Sequence, residues 1–109
     1  MAATLVTDKP VDISRIPGTE ELVHVRFDPH GELVEILYDD GSYDVISVNL
    51  ISQGYMPLTG HAFIKNYTEN SGIVEKLEAA GVVEPVKRIY LPPFGAECVE
   101  VIFTSLSRG

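Results

Sequence analysis

Tryptophan is absent from this sequence, methionine occurs twice and cysteine once, at Cys98. A single cysteine excludes an internal disulfide and leaves no thiol spacing for a structural zinc site. Bases are scarce too: eight lysines and arginines stand against sixteen acids, a formal net charge of −8. So few bases give phosphates little to hold, and no direct nucleic-acid binding is expected. Long apolar runs are missing as well. None approaches the roughly 18 residues of a membrane span, and the first residues lack the basic and apolar regions of a signal peptide. These absences predict a soluble, cytoplasmic protein with no membrane partner, and 109 residues suit one domain with one core.

The charge that is present is uneven. Ten of the sixteen acids but only three of the eight bases fall in residues 1–50. An acidic half of this kind keeps a small protein in solution, and it also favours a basic partner.

Residues 62–82 carry the clearest structural signal, a short strand entering a helix. Thr68, Glu69, Asn70 and Ser71 cluster at its start, with Asn70 or Thr68 as the expected cap. Ile73, Leu77 and Ala80, with Val74 beside them, make an apolar face, while Glu75, Lys76 and Glu78 take the other side. Gly81 suits the left-handed residue that ends a helix, and Val82 can then fold back on Leu77. A helix of about ten residues is marginal alone, so a sheet must hold it.

Elsewhere the pattern is strand and turn. Residues 1–18 read as an irregular arm with one edge segment near residues 4–7, residues 19–104 as a single domain, and residues 105–109 as a polar tail. Residues 22–27 alternate, with Val23, Val25 and Phe27 opposed to His24 and Arg26. Asp28-Pro29-His30-Gly31 has the chemistry of a turn closed by a glycine bulge. Residues 33–38 return, Asp39-Asp40-Gly41-Ser42 turns again, and residues 43–48 complete an antiparallel meander. Residues 49–60 form an irregular connection, either laid over the core or crossing the sheet, and the first place to seek a pocket rim. Strands at 86–91 and 98–104 then flank the turn Pro92-Pro93-Phe94-Gly95. The expected fold is α+β: an antiparallel sheet of five or six strands, an N-terminal meander plus a C-terminal hairpin, with one short helix on one face.

The stretch Phe63-Ile64-Lys65-Asn66-Tyr67-Thr68-Glu69-Asn70, followed by Gly72, the helix, Ala80-Gly81-Val82-Val83-Glu84-Pro85 and a closing hairpin, resembles a small uncharacterised bacterial domain found among plasmid- and phage-associated genes. The likeness covers residues 38–103. It implies a compact domain in a mobile-element setting and transfers no catalytic residue.

Chemistry is sparse. His24, His30 and His61 are isolated, with no pair at helical spacing, and read as strand, turn and loop residues; no metal and no cofactor is expected. Asp39, Asp40 and Asp44 around Gly41 miss the alternating ligands and closing Glu of a calcium loop, and a hairpin turn accounts for them. Cys98 reads as a small core residue, and the sequon Asn66-Tyr67-Thr68 as a chance match. Phe94 either protrudes as an aromatic anchor or folds back over the core, and the second reading is favoured.

The function that follows is that of a small acidic, non-catalytic interaction or accessory protein whose meander meets a basic protein surface. Asp39, Asp40, Asp44, Glu35 and Phe94 are its candidate contacts, and a phage or plasmid setting would suit an anti-defence or regulatory role. The alternative is a small-molecule or anion-binding domain, in its strongest form an enzyme, where His61, Lys65, Tyr67, Glu69 and Asn70 gather at the strand-to-helix join. An open edge strand also offers a route to a homodimer.

Overall fold

The computed structural model describes residues 4–30 and 33–104. The stretch read as an irregular arm contributes two short strands, β1 (Thr4–Leu5) and β2 (Val11–Asp12), and both pair antiparallel with β3 (Leu22–Asp28). Between and after them Val6 and Ile13 are buried, Ile13 completely. Two apolar side chains are enough to tie this segment to the core.

Alternation does its work in β3, where Val23, Val25 and Phe27 are buried and His24 and Arg26 lie half-buried on the other face. β4 (Leu33–Leu37) and β5 (Tyr43–Val45) complete the meander. The glycine of the first expected turn, Gly31, lies outside the described residues, as does the tail at 105–109. The second turn closes through Tyr38 and Ser42, with Gly41 at φ 90°.

The chain then crosses to β6 (Ala62–Lys65). Farther on, β7 (Val83–Leu91) and β8 (Ala96–Phe103) form the closing hairpin. The α+β architecture is present, with its strands divided between a five-stranded sheet in the order β1-β3-β4-β5, β2 also lying on β3, and a three-stranded sheet β6-β8-β7. Residues 46–48 join the two: Lys65 donates to the Ile46 carbonyl at 2.8 Å, Val48 donates to that of Phe63 at 2.9 Å, and Ser47 bridges Ile64. Both inner faces share one core. Phe27 of the first sheet stacks on Phe103 of the second, ring centroids 4.5 Å apart.

The helix α1 (Ile73–Ala79) is shorter than its pattern predicts. Ile73, Val74 and Leu77 are fully buried, but Ala80 is exposed because the helix ends before its face comes round again. Neither Asn70 nor Thr68 caps it. A separate 3-10 turn occupies Thr68–Asn70, Gly72 stands at the helix entry with φ 86°, and the Val74 N–H is accepted by Asn66 Oδ1 at 3.1 Å. The far end follows the sequence. Gly81 has φ 76°, its N–H reaches the Glu78 carbonyl, and Val82 donates to that of Leu77, the paired bonds of a Schellman ending.

β7 begins at Val83, earlier than the strand read from residue 86, and takes Pro85 into the ladder. It lies at the edge of its sheet, where a missing N–H is tolerated, and the register slips between Pro85 and Lys87 so that Val86 is an extra residue. Residues 49–60 lie over the outer face of this sheet, where Leu50 and Tyr55 pack with Phe63, Ile89 and Cys98 into a second, smaller core. The outer face of the N-terminal sheet carries Leu5, Leu22, Tyr43 and Val45 exposed.

Candidate functional site

Arg15 follows the buried Ile13, so its side chain starts from a fixed backbone and runs along the end of the N-terminal sheet. Its Nε and Nη2 grip Glu21 as a fork, at 3.1 and 2.6 Å. Nη1 donates to Asn70 Oδ1 at 2.7 Å, and Nη2 donates to the Tyr38 hydroxyl, also at 2.7 Å. That hydroxyl donates in turn to Asp44 Oδ2 at 2.7 Å, and Asp44 lies 4.0 Å from the guanidinium. A cleft of about 450 Å³ opens beside this network, lined by Arg15, Ile16, Glu21, Asp44, Thr68, Glu69 and Ser71.

The electrostatics follow from who holds whom. Hydrogen bonds donated to Glu21 hold the Arg15 guanidinium above its ordinary pKa, and the same bonds hold the Glu21 carboxyl below the usual carboxylate value. Burial, then the hydrogen bond to Asp44, pushes the Tyr38 phenol up to about 12, so it remains a donor at any physiological pH. Arg15 is thus neutralised by Glu21, and its side chain is only 12 % exposed.

Two groups of residues that the sequence kept apart meet here. Asp44 comes from the meander, Asn70 and Glu69 come from the strand-to-helix join, and Arg15, which the sequence assigned no role, ties them together. Its signal was faint, an arginine two residues beyond an apolar one and six before a glutamate. Asp39 and Asp40 stand exposed on the turn beside β5. Asp40 accepts from the Ser42 N–H and hydroxyl, bonds that lower its pKa and make it part of the turn. Next to the cleft, Glu20, Glu21, Leu22, Tyr38 and Asp39 line a shallower recess.

Other candidates lie elsewhere. Glu35 is buried on the outer face of the N-terminal sheet, 2.7 Å from Arg26 Nε, so its carboxylate is taken. Phe94 is 94 % exposed, against the expectation that it caps the core; the turn at 92–95 projects past the end of the sheet and leaves no layer beneath the ring. His61 sits at the opposite end of β6 from Lys65 and pairs with the buried Glu100 at 2.7 Å. Lys65 binds Glu69 at 3.1 Å and sits 5.6 Å from the centre of the Tyr67 ring. At the helix entry Asn70 Oδ1 accepts from Arg15, and the Val74 N–H, a donor an anion would want, is already taken by Asn66 Oδ1.

A second polar network surrounds Asn66, which the sequon had singled out. Its buried amide donates to Glu75 and Glu97, and Arg88 bridges the same two carboxylates at 3.0 and 3.1 Å. Burial raises the Glu97 pKa, but hydrogen bonds from Asn66, Tyr90 and Arg88 outweigh it and the net direction is down. This cluster holds helix to sheet. Burial pushes the Cys98 thiol up, which suits a core residue. Among the described residues no group of three or more His, Cys, Asp or Glu side chains is arranged to hold a metal ion, and no helix is long and apolar enough to cross a membrane. Comparison with family models, with curated proteins and with solved structures finds no match.

Proposed function

We propose that the protein is a non-catalytic interaction module that binds a basic protein surface through the acidic end of its N-terminal sheet. The observation that supports this reading is the meeting of two hollows at Glu21: a cleft that holds Asp44 and Glu69, whose one arginine is already neutralised by Glu21, and a recess that holds Glu20 and Asp39. Surplus carboxylates at one place steer a cationic surface toward it and fix its register, and being exposed they give up little hydration before contact. The adjoining hydroxyls of Thr68 and Ser71 add acceptors for lysine or arginine donors.

The test avoids acids that hold the fold. Asp40 secures its turn and Asp44 holds Tyr38, so reversing them confounds binding with stability. Glu20 and Asp39 are exposed and suit the purpose. With a lysine-only peptide as probe, wild-type affinity falls steadily as salt is raised. Glu20→Lys with Asp39→Lys lowers it by about tenfold or more, with the melting temperature unchanged. Affinity indifferent to both salt and these reversals would remove the proposal.

A further inference from the structure

The outer face of the N-terminal sheet is laid out by register. Leu5 pairs with Arg26, Arg26 with Glu35 and Glu35 with Val45; His24 pairs with Leu37 and Leu37 with Tyr43. All of these point away from the core that holds Val25, Phe27 and Ile36. Leu5 is 51 % exposed, Leu22 46 % and Tyr43 55 %, so no described element covers them. A depression of about 550 Å³ runs among Leu5, Leu22, His24, Arg26, Leu37 and Asp39. Two of its polar groups already have a partner within the sheet: Arg26 Nε donates to Glu35 at 2.7 Å, and His24 Nδ1 lies 2.9 Å from the Thr7 hydroxyl.

A sheet face with this much apolar surface is normally packed by another layer, most simply a helix. The rim decides which one. The depression shares Leu22, Tyr38 and Asp39 with the recess that holds Glu20 and Glu21, and Asp40 follows on the same turn. A second copy of a chain with net charge −8 would bring the same acids against these. We infer that this face docks an amphipathic helix of the basic partner, with apolar side chains on Leu5, Leu22 and Leu37 and lysines or arginines at one end over Glu20, Asp39 and Asp40. The inference rests on the acidic-module reading and specifies the shape of what that module binds.

Three peptides test it on the full chain: a leucine–lysine helix with leucines on one face, a scramble of the same composition with no face, and the lysine-only peptide. The faced helix is expected to bind at least tenfold more tightly than the scramble and to shift the amide resonances of Leu5, Leu22 and Leu37. Leu5→Ser with Leu37→Ser removes that advantage and leaves lysine-only binding unchanged; if that pair lowers the melting temperature, Leu5→Ser alone is used. Equal affinity for faced and scrambled peptides, or an advantage that survives the serine variants, overturns the docking helix while lysine-only binding keeps the acidic module. Loss of lysine-only binding with the facial advantage intact overturns the acidic reading and, with it, the basic end assigned to the helix. Concentration-dependent dimerisation abolished by Leu22→Ser assigns the face to a second copy and overturns the inference.

Discussion

A guanidinium presents its N–H donors in one plane, and Arg15 spends four of them on Glu21, Asn70 and Tyr38. The arrangement joins residues from three parts of the chain with one side chain. It also has a pH signature. Because the folded Glu21 carboxyl lies below its ordinary value of 4.5, the unfolded chain takes up that proton first as acid is added. The stabilisation is whole above the ordinary value and is lost as pH falls through the depressed one. Arg15→Met is expected to flatten that part of the acid limb in urea unfolding measured from neutral pH to pH about 3; an unchanged slope would show that Glu21 draws nothing from Arg15. The local signal of such a residue is faint. A lone arginine in a stretch without sustained period, Ile13-Ser14-Arg15-Ile16-Pro17, names no partner, and only the fold reveals that its partners are 55 residues away in sequence at Asn70 and 23 at Tyr38.

At the level of elements, legibility followed the range of the forces involved. β3 was readable because Val23, Val25 and Phe27 alternate against His24 and Arg26, a signal that needs no knowledge of the rest of the chain. The helix ending was readable for the same reason, since Gly81 and Val82 close it within one turn. Its beginning was not, because Asn66 reaches over a 3-10 turn to the Val74 N–H while the nearer Asn70 is drawn off by Arg15. The strand at 83–91 began before its proline for a reason visible only in the sheet order: β7 is an edge. Gly81→Ala forces a side chain into the left-handed region, and a loss of about 1–2 kcal/mol is expected in urea unfolding, together with faster amide exchange at Val82. A neutral result would mean that the ending reforms without its glycine.

The molecule as a whole is two sheets on one core, and the stacked pair Phe27 and Phe103 crosses between them. Neither sheet can lose its inner face without exposing the other's. A single cooperative transition is therefore expected, with far-ultraviolet circular dichroism and tyrosine fluorescence tracing the same urea curve. Phe103→Ala, which empties a fully buried ring site, is expected to lower stability by about 3–5 kcal/mol and to move both probes together. Separate midpoints would divide the core in two. Asp39, Asp40 and Asp44 were legible as an acidic turn of the meander; that Glu20 lies beside Asp39, and the join after β6 beside Asp44, needed the fold.

The kink at Pro85 and Val86, followed by Lys87, bears on how this chain behaves in a crowd. An unbroken ribbon margin of nine residues would invite foreign backbone to zip along it, each newcomer offering the next a fresh margin. The extra residue throws the hydrogen-bonding groups out of step, the proline withholds one of them, and the charge of Lys87 resists a like neighbour laid alongside. This margin thereby discourages foreign backbone from adding to the sheet.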